Sequence, residues 1–196
     1  MTTHLGTMTL AGTALLAAAF ATTGCGDSGV VTSVPTGPAP LSETPPPISG
    51  GTLIATADGT RAIAADSGGD RVLIAQTSPL ELLHTVALTK GDEPGRVVEG
   101  PKGTAFVALR SAGAIATIDL QTGDMSRQPV CPAPRGMAYD SALGLLHVAC
   151  AGGELVTLSG STKVRELRLE SDLRDVVVQG SSLMVSVFRK AQVIVV

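Results

Sequence analysis

Three arginines set the period of this chain. Arg96, Arg135 and Arg174 stand in "PGRVV", "PRGMA" and "LRDVV", 39 residues apart in both steps (96 to 135, 135 to 174). After each arginine come an apolar run and a turn. A second run follows ("AFVALR", "LHVACA", "LMVSVFR"), and then a third ("AIATIDL", "ELVTLS", "QVIVV"). Order and spacing repeat together, which marks one supersecondary unit duplicated along the chain. Such a unit cannot bury its apolar faces alone and must stack on its neighbours.

The runs are four to seven residues of Val, Ile, Leu and Ala, separated by Asp-Gly, Gly-Gly and Thr-Gly pairs. That is the pattern of short strands joined by hairpins. In "TLIATADGTRAIAADSGGDRVLIAQ" the turns at Asp58-Gly59 and Gly68-Gly69-Asp70 divide three runs, and "LELLHTVAL" supplies a fourth. Each unit therefore reads as a small antiparallel sheet of four strands. With 44% hydrophobic residues but only 2% aromatics and no Trp, its core must be aliphatic. Few aromatics, a net charge of -3 and no Lys or Arg before Arg61 argue against nucleic acid as a partner.

The repeats resemble blades of the YVTN/YncE-like β-propellers. The resemblance rests on "ADGTRAIAADSGGDRVLIAQTSPLELLHTVAL" and "GTAFVALRSAGAIATIDLQTGD", where Ile118-Asp119 and Thr122-Gly123 match the family's Ile-Asp-x-x-Thr-Gly signature. It implies an all-β fold, a propeller of four-stranded antiparallel blades, over about residues 52–196. The blades fall at about 52–91, 92–131, 132–171 and 172–196, and the last stops after its third strand. About three and a half blades form an incomplete ring, since propellers usually need four to eight. The expectation is a fragment of a larger protein, with self-association as the second way to complete the ring. The family implies binding or scaffolding more than catalysis. The chain is also similar to predicted envelope lipoproteins of myxobacteria and relatives, some of which continue into a cytochrome c-like region. That makes a partner or sensor domain of an electron-transfer protein the alternative, although this sequence holds no Cys-x-x-Cys-His.

Upstream of the repeats, "LAGTALLAAAFATTGC" is an apolar run as short as a secretory core and too short to span a bilayer. It ends in Thr22-Thr23-Gly24-Cys25, which resembles a bacterial lipobox, so residues 1–24 read as a lipoprotein-type signal peptide and Cys25 as the lipidated residue. Thr22 in place of Leu and an n-region without Lys or Arg depart from that pattern. Residues 25–51 hold six of the twelve prolines and read as an extended tether. The expected location is the bacterial envelope, on the periplasmic face or the cell surface, with the membrane as partner through the lipid.

Cys131 precedes the inner strand of the third blade, and Cys150 ends the second strand that returns beside it. In blade geometry the two are neighbours, and an exported protein allows a disulfide. Two buried thiols and a metal or redox role are the alternatives. His147, in a strand with apolar neighbours, reads as a packed histidine. Arg96, Arg135 and Arg174 fall around the mouth of the central channel, with Arg110 and Arg189 ending second strands on the same face. They are candidates for holding a small anionic ligand or an acidic partner loop. Equally, each could pair with a nearby acid such as Asp92, Glu93, Asp172 or Asp175. No Gly-x-Ser-x-Gly or His-Glu-x-x-His occurs. A propeller lactonase is the enzyme reading, with only scattered acids such as Glu99 and Asp140 behind it. The expectation is a non-enzyme with no cofactor and no metal.

Overall fold

A computed structural model describes residues 51–196. The signal peptide, Cys25 and nearly all of the tether lie outside the described residues. The first sheet is β1 (Leu53–Ala55), β2 (Arg61–Asp66), β3 (Arg71–Thr77) and β4 (Leu80–Ala87). The second is β5 (Pro94–Glu99), β6 (Thr104–Leu109), β7 (Ala114–Asp119) and β8 (Met125–Pro129). The third is β9 (Pro134–Asp140), β10 (Leu145–Cys150), β11 (Glu154–Ser159) and β12 (Thr162–Arg168). The fourth has three strands, β13 (Leu173–Gln179), β14 (Ser182–Val187) and β15 (Gln192–Val195). Every sheet is an antiparallel meander in chain order, the blade pattern expected from the repeat.

The turns explain the repeat's polar punctuation. In the Asp-x-x-Thr-Gly signature, one carboxylate oxygen of Asp119 accepts the N–H groups of Gln121 (2.7 Å) and Thr122 (2.9 Å), and Gly123 takes φ 77°. A short acid that bonds its own backbone, followed by a residue free to adopt positive φ, closes a tight hairpin. Asp58 does the same in the first sheet, accepting the Thr60 N–H at 2.9 Å and the Thr56 hydroxyl at 2.6 Å.

Because strand side chains alternate, each sheet presents one face to the sheet before it and one to the sheet after. Ile63, Val72, Ile74 and Val86 of the first sheet pack on Val97, Val107, Leu109 and Ile118 of the second. Val98, Ala108 and Ile115 of the second pack on Met137, Leu146, Val148 and Val156 of the third. Ala138, Ala149 and Leu155 of the third meet Leu173, Val176, Leu183, Val185 and Val187 of the fourth. Most of these residues are fully buried, and each large side chain so buried contributes about 1.5–3 kcal/mol. At the last junction the inner strands almost touch: a Cβ on Gly136 would lie 2.4 Å from the Asp175 Cα. Only glycine fits between β9 and β13 there.

The two ends of the stack differ from the middle. Leu53 (65% exposed) and Leu82 on the first sheet, and Val177 and Val195 (64%) on the last, are open to solvent. β15 pairs only with β14. The ring is open, as the incomplete fourth blade implied.

Candidate functional site at the mouth of the ring

The repeat delivers its arginines by one backbone device. The residue just before each inner strand takes positive φ: Glu93 (51°), Ala133 (52°) and Asp172 (68°). Its carbonyl then accepts the N–H of the residue that follows the second strand, in Arg110→Glu93 (3.2 Å), Ala151→Ala133 (3.1 Å) and Phe188→Asp172 (3.1 Å). The start of each inner strand is thus clamped to the end of its neighbour, and Arg96, Arg135 and Arg174 come off equivalent places. With Arg110, Gly95, Thr52 and Gly51 they line one cavity of about 140 Å³. Gly95 makes room, since a Cβ there would lie 3.0 Å from the Arg110 side chain.

These four guanidiniums are not equally engaged. Arg96, mostly buried, reaches from the second blade to an ion pair with Asp175 of the fourth. Burial pushes the Asp175 carboxyl up more than the Arg96 charge pulls it down. Arg110 stands 3.9 Å from Glu93, a partly exposed pair that adds little stability. Arg174 lies over the Phe188 ring, 5.2 Å from its centroid, a cation–π contact that leaves its donors unspent. Arg135 makes no ion pair or hydrogen bond with the described residues. Arg189 is not among the cavity's lining: it is highly exposed and pairs with Asp172 at 3.6 Å. So the structure gathers four of the five sequence candidates and sends the fifth to a surface pair.

Of the acids weighed as partners, Glu93, Asp172 and Asp175 do pair with Arg110, Arg189 and Arg96. Asp92 does not serve the mouth. Its nearly buried carboxylate (5% exposed) is held by both terminal nitrogens of Arg127 on β8, at 3.0 and 3.2 Å, and by the Thr89 N–H at 2.8 Å. The Asp92 carbonyl accepts the Ser111 N–H (3.2 Å), so this pair anchors the loop that presents Arg96. Arg127 escaped sequence reasoning because it sits on an outer strand with no counterpart in the repeat. An arginine alone in a polar outer strand was its only signal.

Cys131 and Cys150 are joined as a disulfide, with Cα atoms 6.4 Å apart, at the end of the third blade that faces the mouth. His147 is buried, and its Nδ1 lies 3.0 Å from the Thr157 hydroxyl. Burial lowers its pKa, outweighing the nearby Asp140 carboxylate. It lines a second cavity, of about 280 Å³, between the third and fourth blades, together with Thr157, Arg165, Val178 and Asp140. Asp140 caps its own turn through the N–H groups of Ala142 and Leu143, and Glu99 accepts the Ala57 N–H at 2.7 Å. Among the described residues, no three His, Cys, Asp or Glu side chains come together in a set that could hold a metal ion.

Neither a family model nor a curated protein matches the sequence. Solved structures do. A catalytically inactive virginiamycin B lyase from Staphylococcus aureus, solved with quinupristin, is similar with a TM-score of 0.65 at 15% identity, over 78% of this chain and 56% of that one. A periplasmic gluconolactonase from Pseudomonas aeruginosa has a TM-score of 0.62 at 17% identity, over 73% and 48%. Hydrazine synthase from Kuenenia stuttgartiensis has 0.60 at 14%, over 82% and 53%. The fold is a β-propeller. The chain spans about half the length of each of these structures. At such identities the likeness is one of fold, and propellers carry many unrelated activities.

Proposed function

We propose that this chain is a non-catalytic β-propeller of the YVTN/YncE-like kind, exported and held at the bacterial envelope by a lipid on Cys25. Its arginine-lined mouth captures a small anion bearing carboxylate or phosphate groups. The observation that carries this reading is the pair Arg135 and Arg174. Neither has a carboxylate partner among the described residues, yet both line one cavity with Arg96 and Arg110. Arginines kept only for structure would each be matched by an acid, as Arg127 is by Asp92. Guanidiniums offer paired N–H donors in a fixed fork that fits carboxylate or phosphate oxygens. A cavity of about 140 Å³ is in scale with one such group. The lyase and lactonase activities of the similar structures are theirs. Nothing at this mouth supplies a residue set for them.

The test separates ligand binding from fold maintenance. Citrate and inorganic phosphate are titrated calorimetrically into the full chain and into the Arg135→Gln/Arg174→Gln variant. The expected result is at least tenfold weaker binding with the melting temperature unchanged, and weakening with salt, since exposed charges are screened over about 8 Å at physiological ionic strength. Unchanged affinity in the variant removes the site. The anchor is tested in the same organism: Cys25→Ala should move the protein from the membrane fraction to the soluble one.

A further inference from the structure

The two uncovered faces of the stack belong to one another. On the first blade the outward face carries Leu53, Ala64, Leu73 and Thr85 in one cross-strand row and Ala55, Ala62, Ala75 and Leu82 in the next. Its charged pair, Asp66 and Arg71, is self-neutralised at 2.8 Å. On the fourth blade the outward face has Val177, Met184 and Val195 in one row and Ser186 and Val193 in the next. No charged residue stands in either of these rows. A sheet surface meant for water looks different here: β12, an outer strand, alternates Lys163, Arg165, Glu166 and Arg168. Contiguous apolar sheet faces left bare mark interaction surfaces.

We infer that a second copy of this chain covers both faces, closing a two-chain ring. Its fourth blade would pack on the first blade of its partner, and the reverse. Three observations commit the inference to that occupant. First, all three junctions inside the chain are built the same way, the following face of one blade on the preceding face of the next. Ala62 and Ala64 of β2 occupy the places that Ala105 and Val107 hold in β6, Leu146 and Val148 in β10, and Leu183 and Val185 in β14, all buried inside a junction. The chain thus ends with one unused face of each kind, and duplication has already matched them. Second, both faces are free of net charge, so neither repels nor requires an acidic or basic partner. Third, the chain spans 56% and 48% of two of the propellers it resembles, so two copies supply the number of blades that one closed ring holds. Eight blades lie within the range of known propellers. A head-to-tail contact gives a finite assembly only when its rotation closes, and two-fold closure leaves no strand face exposed.

Sedimentation velocity of the full chain in mild detergent, over a hundredfold range of concentration, gives the first reading. A species of two chains that stops growing is expected. Species that keep growing mean an unclosed contact and overturn the ring, and a single chain at all concentrations overturns the inference altogether. Charge substitutions at exposed positions then fix the geometry. Leu53→Glu spoils only the first-blade face and Val177→Glu only the fourth-blade face, and each alone should be monomeric, with the circular dichroism and melting curve of the parent. Mixed together, the two variants still own one intact junction, so a heterodimer should return. If either variant alone still dimerises, or the mixture does not, the faces do not pair head to tail. A variant that loses its native spectrum is replaced by Leu82→Glu or Val195→Glu, which sit on the same two faces and are similarly exposed.

Discussion

Removing Arg127 tests the claim that a buried acid holds the loop that presents Arg96. In the native protein the Asp92 carboxylate is almost out of solvent and takes two nitrogens of one guanidinium, at 3.0 and 3.2 Å, plus the Thr89 N–H. Arg127→Ala leaves that charge buried with the backbone N–H alone. Breaking a fully buried pair from one side costs about 3–5 kcal/mol. Arg127 is itself 37% exposed, so solvent makes good part of the loss, and about 2–3 kcal/mol is the expected cost after that discount. For a domain of this size that is a fall in Tm of about 4–12 °C. With no Trp in the chain, urea and thermal unfolding are followed by circular dichroism. Arg71→Ala is the reference, because its pair with Asp66 is exposed on both sides and should be worth under about 1 kcal/mol. Adding Asp92→Asn to Arg127→Ala should recover part of the loss, since the double variant no longer buries an unmatched charge. If Arg127→Ala costs no more than Arg71→Ala, the pair is ornamental and the loop is held by its backbone bonds alone.

Two further outcomes follow from the third blade. Peptide mapping of the denatured, unreduced protein should find neither Cys131 nor Cys150 alkylated, and replacing both by Ser should cost about 3 kcal/mol, the chain-entropy value for a loop of this length (separation 19). Ready alkylation of both would remove the cross-link. His147 should make the protein less stable in mild acid. Its folded pKa lies below the usual histidine value, so the unfolded chain binds the proton first. Stability is then lost as pH falls from about 6.5 toward the lower folded value. Replacing His147 by Gln should flatten the unfolding midpoint between pH 7 and 5, and an unchanged slope would mean that the ring is neutralised by another route.

The repeat was legible in the sequence because it is written in local chemistry. Strand runs, Asp-Gly and Thr-Gly turns and the 39-residue step of Arg96, Arg135 and Arg174 each depend on a few neighbouring residues, and duplication copies them together. The same locality placed Cys131 beside Cys150, since both positions follow from the blade's internal hairpin. Which charges meet was decided elsewhere. Asp92 stands next to Glu93 in the chain and pairs with Arg127, 35 residues on, while Arg96 crosses to Asp175, 79 residues away. Arg189, equivalent to Arg110 by its place after a second strand, ends in a surface pair instead of the mouth. Ion pairs between blades depend on how one sheet is rotated against the next, and that rotation is fixed by packing, as where Gly136 lets β9 and β13 close to contact. The sequence by itself therefore determined the blades and their order. Only the tertiary structure decided which arginines are left without an acid, because that depends on distances the chain's linear order does not contain.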